Sequence, residues 1–295
     1  MTDATSTPSA GWRMKFAAFS LAVSIFSVIW FMVAALGTRF GLWPYQVGLL
    51  QMTIGIGAKL AMLALGLGLV AQVMALIKYP RVQPMILALV ATLIAAMGMF
   101  RLVGFGSLAG SLPPIHDVQT DWGDPVAFSD QLMALRTEDG ATNPVLPAPT
   151  VPDYAESRWP GTAGRLVSDL QAEAEPASAE DEDALYPRID PLYFDQAPNE
   201  VAALAQRLMD RRGWTPVAGP ETLLDGSLRL EATAQSGWFG FRDDIALRLR
   251  SLDGVTRVDV RSVSRVGLSD LGANAKRVNG LLMEMQDRGD GRWAP

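Results

Sequence analysis

The side chains that could do chemistry are few. The chain has no cysteine and a single histidine, His116, so it offers no thiolate nucleophile, no disulfide framework, no Cys-based zinc or iron–sulfur site and no His-rich metal site. What remains for acid–base work is the pair Asp243-Asp244, with His116 as a third group, a set that an extracytoplasmic hydrolase could use as acid and base. Neighbouring residues on a strand face opposite ways, so the two carboxyls share one site only if a bulge intervenes. Asp243 falls on the inward face, where an acid more often pairs with an arginine or caps backbone N–H groups than reacts. His116 reads as a structural hydrogen-bonding residue. The acidic run Glu180-Asp181-Glu182-Asp183 lacks the alternating ligand spacing and turn glycine of a calcium loop. No catalytic residue, metal site or cofactor is assigned, and the balance lies against catalysis.

A second constellation suits anion recognition. Three strand-like segments carry Glu231, Thr233, Gln235, then Asp244, Arg248, Arg250, then Arg257, Asp259, Arg261 and Arg265 on one face. Arg265 runs into Gly267-Leu-Ser269-Asp270-Leu-Gly272-Ala-Asn274, a strand-to-helix turn whose free N–H groups and helix dipole favour an anion. Arg277 lies a turn or two into that helix. The candidate binding residues are therefore Arg261, Arg265, Ser269, Asp270, Asn274 and Arg277, with Asp244, and the ligand class is a carboxylate or phosphate. Two outcomes are open: internal acids such as Asp243, Asp244 or Asp259 balance the arginines, or an external anion does.

These residues must be held by two very different stretches of chain. Of 25 Lys/Arg and 31 Asp/Glu in 295 residues, the first 112 positions hold seven bases and one acid, and the rest 18 and 30. A mean hydropathy of +0.17 is high for a soluble protein, and the excess sits in the first 112 residues. This excludes a purely cytosolic enzyme and, because the hydrophilic part is acidic, a nucleic-acid binder. Three spans are expected, at about 16–36, 60–77 and 85–101, each close to the roughly 30 Å of a hydrocarbon core. Arg13, Lys15, Lys78 and Arg81 belong inside by the positive-inside rule. That orientation puts everything after Arg101 outside the cytoplasm, in the periplasm of a Gram-negative cell, with the bilayer as one partner. Arg39, Lys59 and Arg101 then fall near the outer membrane face, to snorkel toward lipid phosphates or to pair with acids of the outer domain.

The organisation expected is a three-helix transmembrane anchor (1–112), an extended Pro-rich and acidic wrapping segment, partly disordered (113–184), and a compact α+β core (185–295). In the wrapping segment a helix is read over Asp124 to Leu135, with Asp124 as N-cap and Pro125 at its first position. The residues from Asp169 to Asp183 are read as a mobile insertion. In the core, Pro198 opens a helix with Val201, Leu204, Ala205 and Leu208 in register. Alternating strands follow over 228–235, 241–250 and 255–265, and a last helix after Ser269 or Asp270. The fold class is α+β, an antiparallel sheet packed on helices.

The run from Arg261 through Arg265, Gly267, Ser269, Asp270, Gly272 and Asn274 to Arg277 resembles the signature of the bacterial domain-of-unknown-function family number 1499. Pro114-Ile-His116-Asp117-Val-Gln-Thr120-Asp121, Tyr186-Pro187, Gly213-Trp214 and Phe239-Gly240-Phe241-Arg-Asp243-Asp244 are further matches, together covering about Pro113 to Met285. The resemblance implies an envelope protein with no assigned activity. Its expected partners are the lipid bilayer and an anionic envelope ligand (lipid, glycan) or membrane protein.

Overall fold

The computed structural model describes residues 11–176 and 186–293. The chain forms two compact units, one of residues up to Ser107 together with Gly237–Gly240, the other of 108–236 and 241 onward. The run Glu180 to Asp183 lies outside the described residues.

In the first unit α1 (Gly11–Arg39), a π-helical stretch (Gln46–Gly57) that continues directly into α2 (Ala58–Ile77), and α3 (Val82–Ser111) are each long and apolar enough to cross a membrane. Each helix runs past the span read from charge positions, and the second starts at Gln46. Their burial pattern is inside out. Ala17, Ser20, Ser24 and Ser27 of α1, Ala61, Ala64, Gly68, Ala71 and Ala75 of α2, and Ala88, Ala91 and Ala95 of α3 face inward, while Phe19, Phe26, Leu63, Leu69, Leu93 and Phe100 face out. Small residues let helix backbones approach in lipid, where large apolar side chains gain nothing by hiding from water. The approach is close enough that a Cβ on Gly68 would lie 2.5 Å from Thr92 Oγ1. Polar side chains add to it, with Gln72 Nε2 donating to Thr92 Oγ1 at 2.7 Å and Ser20 Oγ to the Leu67 carbonyl at 3.2 Å.

The second unit is a mixed α+β domain around one antiparallel sheet. Strands β1 (Asp117–Gln119), β2 (Leu192–Phe194), β3 (Thr215–Thr222), β4 (Leu228–Gln235), β5 (Arg242–Leu252), β6 (Val255–Ser264) and β7 (Arg292–Trp293) are ordered β3-β4-β5-β6-β2-β7. β1 shares the edge of β6 with β2, since it pairs with residues 261–263 and β2 with 256–258. α4 (Asp130–Glu138), α5 (Val167–Ala174), α6 (Pro198–Arg211) and α7 (Ala273–Gly289) complete the unit.

One sheet face is apolar. Leu230, Ala232, Ile245, Leu247, Leu249, Val258 and Val260 pack under Val201, Leu204, Ala205 and Leu208 of α6 and Ala275, Val278, Leu282 and Met285 of α7. The period-2 and period-3.6 stripes of the sequence are this interface.

The other face, which carries the arginines and their acids, is covered. Val126, Phe128 and Leu132 lie over Ala246 and Val263. The helix expected over Asp124 to Leu135 begins five residues later, because Ser129 Oγ accepts from Leu132 N at 3.0 Å and is the true N-cap. Asp124 serves arginines instead. Likewise Asp169 to Ala174, expected within a mobile insertion, lies in α5, whose Leu170 and Gln171 are buried. There Gln171 Nε2 donates to the Gln119 carbonyl of β1 at 3.1 Å.

Candidate functional site

The strand register decides what the candidate residues can do together. Thr233, Asp244 and Val263 are cross-strand partners, as are Glu231, Ala246 and Arg261, so their side chains point to the face under α4. Asp244 lies at the centre of that face, fully buried. Arg265 holds it bidentately, Nε to Oδ2 at 2.9 Å and Nη2 to Oδ1 at 2.7 Å. Arg136 Nη1 reaches Oδ2 at 2.6 Å, and Thr233 Oγ1 donates to Oδ1 at 2.7 Å. Arg265 also donates to Asp139 just past the end of α4, a carboxylate it shares with Arg242. Cations at a helix C-terminus are favoured by its exposed carbonyls.

One ladder position away, Arg261 clamps Asp117 with Nε to Oδ1 at 3.0 Å and Nη2 to Oδ2 at 2.5 Å. Its remaining N–H groups donate to the carbonyls of Val126 at 3.1 Å and Leu146 at 2.6 Å. Further along, Asp259 accepts from Arg248, Arg250 and Arg257 at 2.9–3.2 Å. Asp121 and Asp124 join the same arginines from the covering segment. Burial pushes both of these carboxyls up, but the hydrogen bonds from Arg257 and from Arg250 and Arg248 outweigh it and hold them below the usual range.

Asp243, one residue along β5, faces the other way and meets Arg277 Nη2 at 2.6 Å. Arg277 Nη1 also donates to Ser262 Oγ at 3.2 Å and to Asn274 Oδ1. Asn274 is buried as a hub, donating to the His116 carbonyl at 3.1 Å and to Ser264 Oγ at 2.9 Å and accepting from Ser262 Oγ at 2.7 Å. Asp270 caps α7, accepting from Gly272 N at 2.9 Å and Asn274 N at 2.7 Å, with the Tyr186 hydroxyl at 3.2 Å. Leu271 and Gly272 at φ 57° and 79° make that turn possible. Burial, aided by Asp243, raises the Asp270 carboxyl to about 6 against the backbone N–H bonds and Arg277 that lower it. Ser269 sits half-buried at the start of the turn, its Oγ 3.4 Å from Leu271 N.

The fold therefore brings Arg265 and Asp244 together, and separately Asp270, Asn274 and Arg277. It puts Arg261 beside Asp117 and sends Asp243 and Asp244 to opposite faces. His116 is buried with neither ring nitrogen in a well-formed hydrogen bond, and burial holds its pKa below the usual 6.5. Among the described residues no group of three or more His, Cys, Asp or Glu could hold a metal. Arg136, Asp117, Ser129 and Asn143 were not foreseen as parts of these networks, whereas strand alternation had put Glu231 on this face. Glu231 accepts Ser129 N at 2.6 Å and its hydroxyl, and Asn143 Nδ2 donates to the Ser264 and Gly267 carbonyls at 3.0 and 2.7 Å. Of the unforeseen residues only Asp117 carried a signal, as part of the motif at the start of the domain.

A family model described as protein of unknown function (DUF1499) matches residues 117–285, from β1 into α7. No curated protein and no solved structure matches the chain.

Proposed function

Because the chain belongs to the DUF1499 family of proteins of unknown function, we propose its role from its own geometry: a membrane-anchored, non-catalytic module that recognises an anionic group at the corner formed by Arg136, Arg242 and Arg265. One observation carries this reading. Three guanidiniums share two carboxylates there, Asp244 and Asp139, and Arg242 is the exposed one, its side chain 45% accessible. A phosphate or carboxylate approaching Arg242 would balance the corner with charge-assisted hydrogen bonds. Arg261, paired with Asp117, and Ser269, Asp270, Asn274 and Arg277, gathered around the start of α7, lie outside this corner.

The anchor lies in the inner membrane with the N-terminus cytoplasmic and the α+β domain periplasmic, because Arg13, Lys15, Lys78 and Arg81 flank the helix ends that the positive-inside rule keeps inside. Arg39, Lys59 and Arg101 then sit at the outer interface. The partner is an anionic lipid, glycan or membrane protein of the cell envelope.

Native mass spectrometry of the full chain in mild detergent tests the reading. An anionic molecule should copurify and be lost on Arg242→Gln, a change that leaves Asp139 paired with Arg265. Absence of any such molecule, or its equal retention by the variant, would reject the site. A reporter active only outside the cytoplasm should work when fused after Pro295 and fail in the loop between α2 and α3.

A further inference from the structure

The turn between β4 and β5, Gly237–Gly240, belongs to the unit of the membrane helices, although the strands that it joins do not. Arg39, the last residue of α1, reaches it: its Nη1 donates to the Gly237 carbonyl at 2.6 Å. The next residue, Trp238, is 64% exposed, and no described residue accepts from its indole N–H. The turn is closed from within, Ser236 N donating to the Phe241 carbonyl at 2.8 Å and Phe241 N to Ser236 Oγ at 2.9 Å, with Gly240 at φ 71°. A turn already tied in this way loses little further freedom on meeting a surface.

Charge positions fix the depth of this contact. Between Lys15 and Arg39 the 23 residues Phe16 to Thr38 carry no charge. They rise about 34 Å as a helix, against roughly 30 Å of hydrocarbon, so Arg39 lies in the headgroup layer and the carbonyl that it reaches lies there with it. Just past Arg39, Phe40 and Leu42 are each 72% exposed and carry the apolar surface of α1 into the same layer. Tryptophan favours this level, because its ring is apolar and its N–H finds lipid oxygens. The hairpin carries no charge from Ala232 to Phe241, so no ionised group in that stretch resists removal from water.

We propose that Trp238 is immersed in the lipid headgroup layer at the C-terminal end of α1, its ring against the first methylenes of the acyl chains and its indole N–H donating to a phosphate or ester oxygen of a lipid. The β4–β5 turn is then a membrane contact of its own, beside the three helices. The proposal requires α1 to cross the membrane, whichever side its end faces, and it does not depend on the arginine corner.

The chain has no cysteine, so Trp238→Cys takes a single environment-sensitive fluorophore. The labelled full chain is reconstituted in vesicles of phosphatidylethanolamine and phosphatidylglycerol, with Ile29→Cys, ten residues before Arg39 on the exposed side of α1, as the reference for depth. The label at Trp238 should emit to the blue, resist iodide, and be quenched more by lipids spin-labelled at the headgroup than by lipids spin-labelled at the chain end, with the reverse order at Ile29. Quenching at Ile29 but not at Trp238, or a label at Trp238 open to iodide, would overturn the contact and leave α1 in the membrane, whereas quenching at neither position would overturn both. A blue-shifted label that no spin-labelled lipid quenches would put protein rather than lipid over Trp238 and would also overturn the proposal. Trp238→Phe gives a readout without a label: headgroup spin labels should quench the tryptophan emission of the unsubstituted chain more than that of the variant, and equal quenching would contradict the contact.

Discussion

The two faces of the sheet solve the same problem by opposite means. Under α6 and α7, Leu230, Leu247, Leu249 and Val260 are buried against leucines, valines and alanines, and stability there comes from area removed from water. Under α4, Glu231, Asp244, Asp259, Asp117 and Arg261 are buried just as completely, and each is tolerated only because its partners are in place. The apolar face is forgiving in detail, since a neighbouring hydrophobe can shift to fill space. The charged face is not, because a lost partner strands a charge. It works as a latch that closes over β5 and β6 only when Asp117, Asp121, Asp124, Arg136 and Asp139 arrive in register.

The sharpest way to break the contrast is Asp244→Ala, which removes the carboxylate that Arg136 and Arg265 share and leaves only Asp139 beside Arg265. The loss should be about 3–5 kcal/mol, read as denaturant unfolding of the full chain in detergent. Leu247→Ala on the apolar face should cost about 2–5 kcal/mol by cavity formation, with the charged-face network intact by hydrogen exchange of Asp244 and Val263 amides. If Asp244→Ala costs less than 1 kcal/mol, the charged face is not a latch.

The turn between β6 and α7 gives a prediction in pH. Asp270 is raised from 3.8 to about 6 by burial, so the folded state holds a proton that the unfolded chain has released, and stability from this group is lost as pH rises from about 4 to about 6. His116, lowered from 6.5 by burial, acts the other way, because the unfolded chain takes up a proton first and stability is lost as pH falls below 6.5. The two oppose each other. Asp270→Asn should therefore leave a stability that climbs with pH as His116 releases its proton, and His116→Gln one that declines from about pH 4 to about 6. Identical pH profiles in wild type and both variants would contradict these assignments. At the small end, Arg165→Ala breaks an exposed pair with Glu173 and should leave the unfolding midpoint close to that of the wild type, because solvent screens the pair.

What could be read from the sequence follows the same division. The apolar face was legible because its periodicity is local: β4 spans the alternating residues 228–235, and α6 opens at Pro198. β3 escaped notice because Pro216, Gly219 and Pro220 interrupt its alternation, and its pairing with β4 shifts register between Pro216 and Glu221. β1 and β2 are three residues each, too short to show a period. The covering of the charged face was illegible for a different reason. Arg261 meets Asp117 across 144 positions and Arg136 meets Asp244 across 108, and no spacing rule links them. Asp124-Pro125 imitated a helix start, when the carboxylate was needed by Arg248 and Arg250.

The central claim, that the arginine-rich face is a closed network with Asp244 as its keystone, is tested most directly by a double-mutant cycle of Asp244→Leu and Arg265→Leu, read as unfolding free energy of the full chain. The network predicts a coupling of about 2 kcal/mol or more, with the double variant more stable than the sum of the single losses implies. Losses that add to within about 0.5 kcal/mol would mean that the two residues act independently, and that Asp244 is free for another task.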